Sequence, residues 1–196
     1  MDLDQHVIEL FHSSIDTTMR TLDEQAAKVS DCGTLLVQCL LSENKILCAG
    51  EGISGAITQV FCSHLLNRFD YERPGLPAIN LSADATTLMS LSGDSHFKDI
   101  FAHQIRALGQ PGDLLLLVTN SSTSGTSLEA IKAAHDREML VICLSNQSSN
   151  EFAALLQPED IELNIPSTNR ARISEAHLKI VNYLSELIDL QLFGSP

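Results

Sequence analysis

The sequence predicts an α/β protein built on a parallel sheet. Two observations carry this. Short apolar runs alternate along the chain with segments whose apolar residues recur at helical spacing. In addition, two of the apolar runs, 45–49 and 114–118, pass through glycine-bearing or polar turns directly into helices, as crossover-connected parallel strands do.

Residues 1–28 place Val7, Ile8, Leu10, Phe11, Ile15, Met19, Leu22 and Ala26 on one period, which is a long amphipathic helix with a break allowed at Ser13-Ser14. Residues 31–41 read as a second helix. The run 45–49 is rich in strand formers, and Gly50-Glu51-Gly52 ends it. From there Ile53, Ala56, Ile57, Val60, Phe61 and Leu65 fall on a helix face. Glu72-Arg73-Pro74-Gly75-Leu76-Pro77 is a turn-rich loop, followed by a short strand at 78–81 and a helix at 84–91. Residues 97–108 form a helix with Ile100, Phe101, Ile105 and Leu108 on one side. Pro111-Gly112-Asp113 turns into the buried strand 114–118. A polar run, 119–127, opens a helix at 128–137. Strands at 140–144 and 160–165 follow. The last helix, 172–192, carries Ile173, Ala176, Ile180, Val181, Leu184, Leu187 and Ile188 on one face, and Gly194 and Pro196 should stop it near Phe193.

No repeat or linker divides the chain. We expect one domain over 1–196, with a helical N-terminal part (1–42), an α/β core (43–166) and a C-terminal helix (170–193). The terminal helices carry more apolar surface than a sheet cover needs, which predicts a homo-oligomer bundled through them.

The 196 residues are 44% hydrophobic, contain no Trp and carry a formal charge of −13. Direct nucleic-acid binding needs a basic footprint that this chain lacks. No apolar run approaches the ~20 residues of a membrane helix, and the acidic N-terminus does not resemble a signal peptide. The five cysteines, Cys32, Cys39, Cys48, Cys62 and Cys143, sit inside apolar segments. They read as small buried hydrophobes in a reducing compartment, so the expected location is the cytoplasm.

Two turns are candidate sites. The glycine turn at 50–52 and the hydroxyl-rich run at 119–127 each join a strand to a helix, and free N–H groups at a helix start suit phosphate oxygens. Glu51 objects to this in the first turn. A carboxylate about 4 Å from a phosphate charge costs roughly 1 kcal/mol in water and about 4 kcal/mol at an effective dielectric of 20. For the second turn, a Ser/Thr-rich helix cap is the competing explanation.

The segments GEGIS at 50–54, NRFDYERPGLPAINL at 67–81, RALGQPGDLLLLVT at 106–119 and RARISEAH at 170–177 resemble the sugar isomerase (SIS) domain family, in the branch that holds phosphoheptose isomerases and DiaA, the DnaA initiator-associating protein. The resemblance implies a three-layer α/β/α sandwich around a five-stranded parallel sheet, assembled as a homotetramer through the terminal helices. It also implies an acid–base and zinc set of His and Glu on the helix after the first glycine turn and Gln and His on the last helix. Those positions fall here on Val60, His64, Ser174 and Asn182, so neither catalysis nor zinc binding is expected from them. His64, Asp94 and Glu51 are the groups left to serve as acid and base if the chain is an enzyme. The implied ligand contacts fall on Ser54, Asp94, Thr119, Ser121 and Ser124, with Ser122 in place of the family Gly. The expectation is a DiaA-like, non-catalytic regulator that binds a DnaA-like initiator, with Phe193 meeting the partner and Leu192 the neighbouring subunit. The alternatives are a phosphoheptose isomerase acting on sedoheptulose 7-phosphate through an altered site, or a phosphosugar sensor without turnover.

Overall fold

The computed structural model describes residues 2–93, 97–121, 124–147 and 150–194. Five parallel strands lie in the order β2-β1-β3-β4-β5: β1 (Ile46–Gly50), β2 (Ala78–Asn80), β3 (Leu114–Val118), β4 (Leu140–Asn146) and β5 (Ile161–Ile165). Helices α1 (Leu3–Leu41), α2 (Ile53–Leu66) and α7 (Arg170–Phe193) cover one face. Helices α4 (Ile100–Leu108) and α5 (Gly125–Asp136) cover the other. Short helices α3 (Ala85–Gly93) and α6 (Asn150–Ala153) complete the described elements, and a 3₁₀ turn at Phe97–Asp99 leads into α4. The predicted α/β fold with a five-stranded parallel sheet is the one observed.

Strand periodicity divides the core in two. Ile46, Cys48, Leu114, Leu116 and Val118 pack toward α1, α2 and α7, while Leu47, Ala49, Leu115 and Leu117 pack toward α4 and α5. Both faces of β1 and β3 are therefore buried, which explains their unbroken apolar sequences. All five cysteines are buried free thiols. Among the described residues no helix is long and apolar enough to cross a membrane.

The N-terminal segment departs from the two helices expected. It is one helix of 39 residues, capped by Asp2. Ser13-Ser14 does not break it, because Ser14 donates to Glu175 of α7 at 2.7 Å, and Lys179 of the same helix donates to Thr18 one turn later. Its N-terminal half leaves Leu3, Val7, Ile8, Phe11, Ile15, Met19 and Leu22 exposed. The last helix starts two residues earlier than its apolar pattern suggests, because Asn169 accepts the Ala171 and Arg172 N–H groups as an N-cap. It ends at Phe193, where Gly194 takes φ 86°.

Asp113 fastens the start of the central strands. Its carboxylate accepts from Lys45 N (3.0 Å), Lys45 Nζ and Gln110 N (2.8 Å), and the residue is buried. Asp113→Ala would leave the Lys45 ammonium and two backbone donors without this partner. We expect a loss of about 3 kcal/mol of stability, visible as an earlier urea midpoint at an unchanged slope. A midpoint that does not move would show that water replaces the carboxylate without cost.

Candidate active site

In the β1–β3 ladder Gly50 pairs with Val118, so the two strands end side by side and their turns face each other. Gly52 takes φ 55°, a left-handed conformation that glycine adopts without strain, and it begins α2 with no side-chain cap. A Cβ on Gly50 would lie 2.7 Å from the Ser54 backbone, so α2 can pack this tightly only on a glycine. Between the turns and the start of α7 lies a cavity of about 360 Å³, lined by Glu51, Ser54, Thr119, Ser121, Arg170 and Ser174 among others. A second cavity of about 410 Å³ opens on the other side of Glu51, toward Gln59, Ser82, Leu88 and Phe97.

Of the expected ligand contacts, Ser54, Thr119 and Ser121 come together in the first cavity. Thr119 Oγ1 accepts from Ser121 N and donates to Ser121 O, both at 3.1 Å, which folds the turn back on itself. Ser124 does not line this cavity. It is the N-cap of α5, accepting from Ser127 N, and its hydroxyl donates to Glu51 Oε2 at 3.3 Å. Thr126 Oγ1 donates to Glu51 Oε1. The Glu51 side chain thus seats on the first turn of α5, where free N–H groups and the helix dipole favour an anion. Glu51 is more than a repulsive neighbour of an anion site, because it takes two of that site's hydroxyl donors for itself. Asp94 and Ser122 lie outside the described residues.

Of the positions that correspond to the family acid–base set, Ser174 lines the cavity, whereas Val60, His64 and Asn182 do not. Val60 packs against the core. Ser174 is tied up, accepting from Asn120 Nδ2 (2.7 Å) and donating to Arg170 O (3.0 Å). His64 does not line the cavity. Ser185 Oγ donates to Val181 O, which leaves His64 Nδ1 to donate to Ser185 Oγ at 3.1 Å, and the ring sits edge-on to Phe69. Burial, aided by the Arg73 guanidinium and opposed by Asp189, lowers the His64 pKa and favours the neutral ring. These residues do not fit the zinc that the resemblance implies. Among the described residues no three His, Cys, Asp or Glu side chains are grouped to hold a metal.

Leu192 is partly buried and packs against the core of its own chain. Phe193 is 41% exposed and lies 5.8 Å under the Arg73 guanidinium. Arg170, Asn120 and Thr126 belong to the site architecture but were not expected there. The polar run at 119–127 contains both Asn120 and Thr126, whereas nothing local marked Arg170 as a site residue.

The SIS domain model matches residues 10–146. The chain belongs to the SIS-domain family. It is 44% identical over 195 residues to the phosphoheptose isomerase of Chromohalobacter salexigens, covering 100% of this chain and 99% of the relative. The solved phosphoheptose isomerase of Francisella tularensis superposes with a TM-score of 0.93 at 39% identity, covering 96% of this chain and 99% of that one. That of Neisseria gonorrhoeae gives 0.90 at 33% identity, over 95% and 98%. These relatives correct the expectation of a DiaA-like regulator without enzymatic role. Full-length similarity at this level is to proteins named as isomerases, and it places this SIS-domain protein in the phosphoheptose isomerase branch. The DnaA contact assigned to Phe193 loses the expectation that motivated it.

His177, in the RARISEAH segment, has a structural role. It is fully buried, and its Nε2 donates to Ser145 O at 3.0 Å, tying α7 to the end of β4. Burial pulls its pKa down to about 4. An unfolded His titrates near 6.5, so between pH 6.5 and 4 the unfolded chain binds a proton that the folded chain refuses. Stability should therefore be level above pH 6.5 and fall by up to about 3 kcal/mol as the pH drops toward 4. Urea titrations across this range test it, and His177→Gln should flatten that part of the profile. An equal slope in the variant would assign the loss to other groups.

Proposed function

We propose that this SIS-domain protein isomerises a sugar phosphate of the phosphoheptose class through an altered site. The observation that carries this is its full-length similarity to phosphoheptose isomerases, at 44% identity, together with a cavity at the carboxyl ends of β1 and β3. Such a reaction moves a proton between carbons next to a carbonyl and needs a base at the site. Of the three groups considered for acid and base, His64 is turned toward Ser185 and Asp94 lies outside the described residues. Glu51 is the carboxylate lining the cavity among the described residues. We assign it the role of general base. The hydroxyls of Ser124 and Thr126 fix its orientation, and the uncapped first turn of α2 offers N–H groups to an oxygen that gains charge as the proton leaves.

Glu51→Gln keeps the shape and removes the base. With sedoheptulose 7-phosphate as substrate, assayed with and without added zinc, its kcat should fall by about 10²- to 10⁴-fold. If the native chain gives no turnover while an active phosphoheptose isomerase does so in the same assay, the isomerase assignment is wrong. A variant as fast as the native chain would place the base elsewhere.

The exposed apolar face of α1 supports the homotetramer expected for the family. Replacing Phe11 and Ile15 together by Ser should shift the chain to smaller species on a sizing column. A native chain that already elutes as a monomer would refute the assembly.

A further inference from the structure

Glu51 and Arg170 face the same cavity with opposite charges. The α5 hydroxyls, Ser124 and Thr126, already donate to the Glu51 carboxylate. A ligand phosphate therefore meets a turn whose best donors are taken and whose nearest charge is negative.

Arg170 supplies what is missing. Among the described residues it is the one cationic side chain lining the cavity, and its guanidinium forms no ion pair or hydrogen bond with them. Its position is unfavourable for the helix. It occupies the first residue of α7, where the positive end of the dipole disfavours a cation. The neighbouring Arg172 shows how the fold neutralises such a charge, by donating to Leu10 O and to Glu175. Arg170 has no such compensation. Exposed on the cavity wall beside Ser54 and Ser121, in a chain of net charge −13, this guanidinium is free to meet the charged group of a ligand.

We infer that the phosphate subsite of this chain has moved: Glu51 fills the place at the α5 N-terminus, and Arg170, beside Ser54 and Ser121, holds the phosphate of the sugar on the α7 side of the cavity. This rests on the phosphosugar assignment above and adds which residue reads the charged group.

Calorimetric titration of the native chain with sedoheptulose 7-phosphate and with inorganic phosphate tests it, alongside Arg170→Ala and Arg170→Lys. We expect Arg170→Ala to weaken both ligands by at least about tenfold, with Arg170→Lys in between because the charge remains and the two-pronged donor is lost. Glu51→Gln should tighten both by about fivefold or more, since it removes a like charge. Thermal unfolding of each variant confirms that it is folded, and Arg170→Ala should unfold no earlier than the native chain. If the native chain binds and Arg170→Ala binds within about twofold of it, the moved subsite is refuted while the phosphosugar assignment stands. Binding of neither ligand by the native chain overturns both. Weaker binding by Glu51→Gln would show that the carboxylate holds the ligand instead of excluding it from the α5 turn.

Discussion

The register of β1 on β3, with Gly50 opposite Val118, is the constraint on which the site depends. It ends two parallel strands at the same level, so the turn before α2 and the turn before α5 share one rim. A Cβ at Gly50 would strike the Ser54 backbone, and without that close approach the start of α2 would stand away from the sheet. The start of α7 closes the rim from a third side. It is held there by the Asn120–Ser174 hydrogen bond and by the buried link from His177 to Ser145.

Within this frame the charges have been redistributed. A carboxylate in the glycine turn is unfavourable for an anionic ligand, yet Glu51 is well accommodated by the protein itself. It takes the hydroxyls of Ser124 and Thr126 and the positive end of α5. In the proposed function the same carboxylate serves as the base and keeps a phosphate from the α5 turn, and both roles rest on its one negative charge. Arg170 lines the same cavity and is the residue proposed to meet the ligand's charge.

The segment from Arg68 to Pro77 has a different role from the turns. Arg73 is buried against Asp189, donates to the His64 and Leu65 carbonyls at the end of α2, and lies over Phe193. It clamps the end of α2 to the last turns of α7. Breaking one side of such a buried pair strands the other charge, so both partners must persist together. His64 sits in this clamp, with its ring on Phe69 and Ser185, which is why it does not reach the cavity. Leu192 belongs to the same packing and is held by the core of its own chain.

The sequence by itself determined the alternation of strands and helices, the buried character of β1 and β3, the end of α7 at Phe193 and the two polar strand-to-helix turns as candidate sites. Each of these follows from local periodicity or from residues with few backbone options, such as Gly52 and Gly194. Family membership was also legible, because long strings such as NRFDYERPGLPAINL carry the resemblance. Only the tertiary structure decided that α1 is one helix, since its continuity through Ser13-Ser14 is accompanied by contacts to Glu175 and Lys179 more than 150 residues away. It alone showed that Glu51 is bonded to Ser124 and Thr126, that Ser124 is a cap outside the cavity, and that Arg170 enters the site. These are contacts between residues distant in sequence. No local pattern encodes which donor a carboxylate will find once parallel strands bring two turns together.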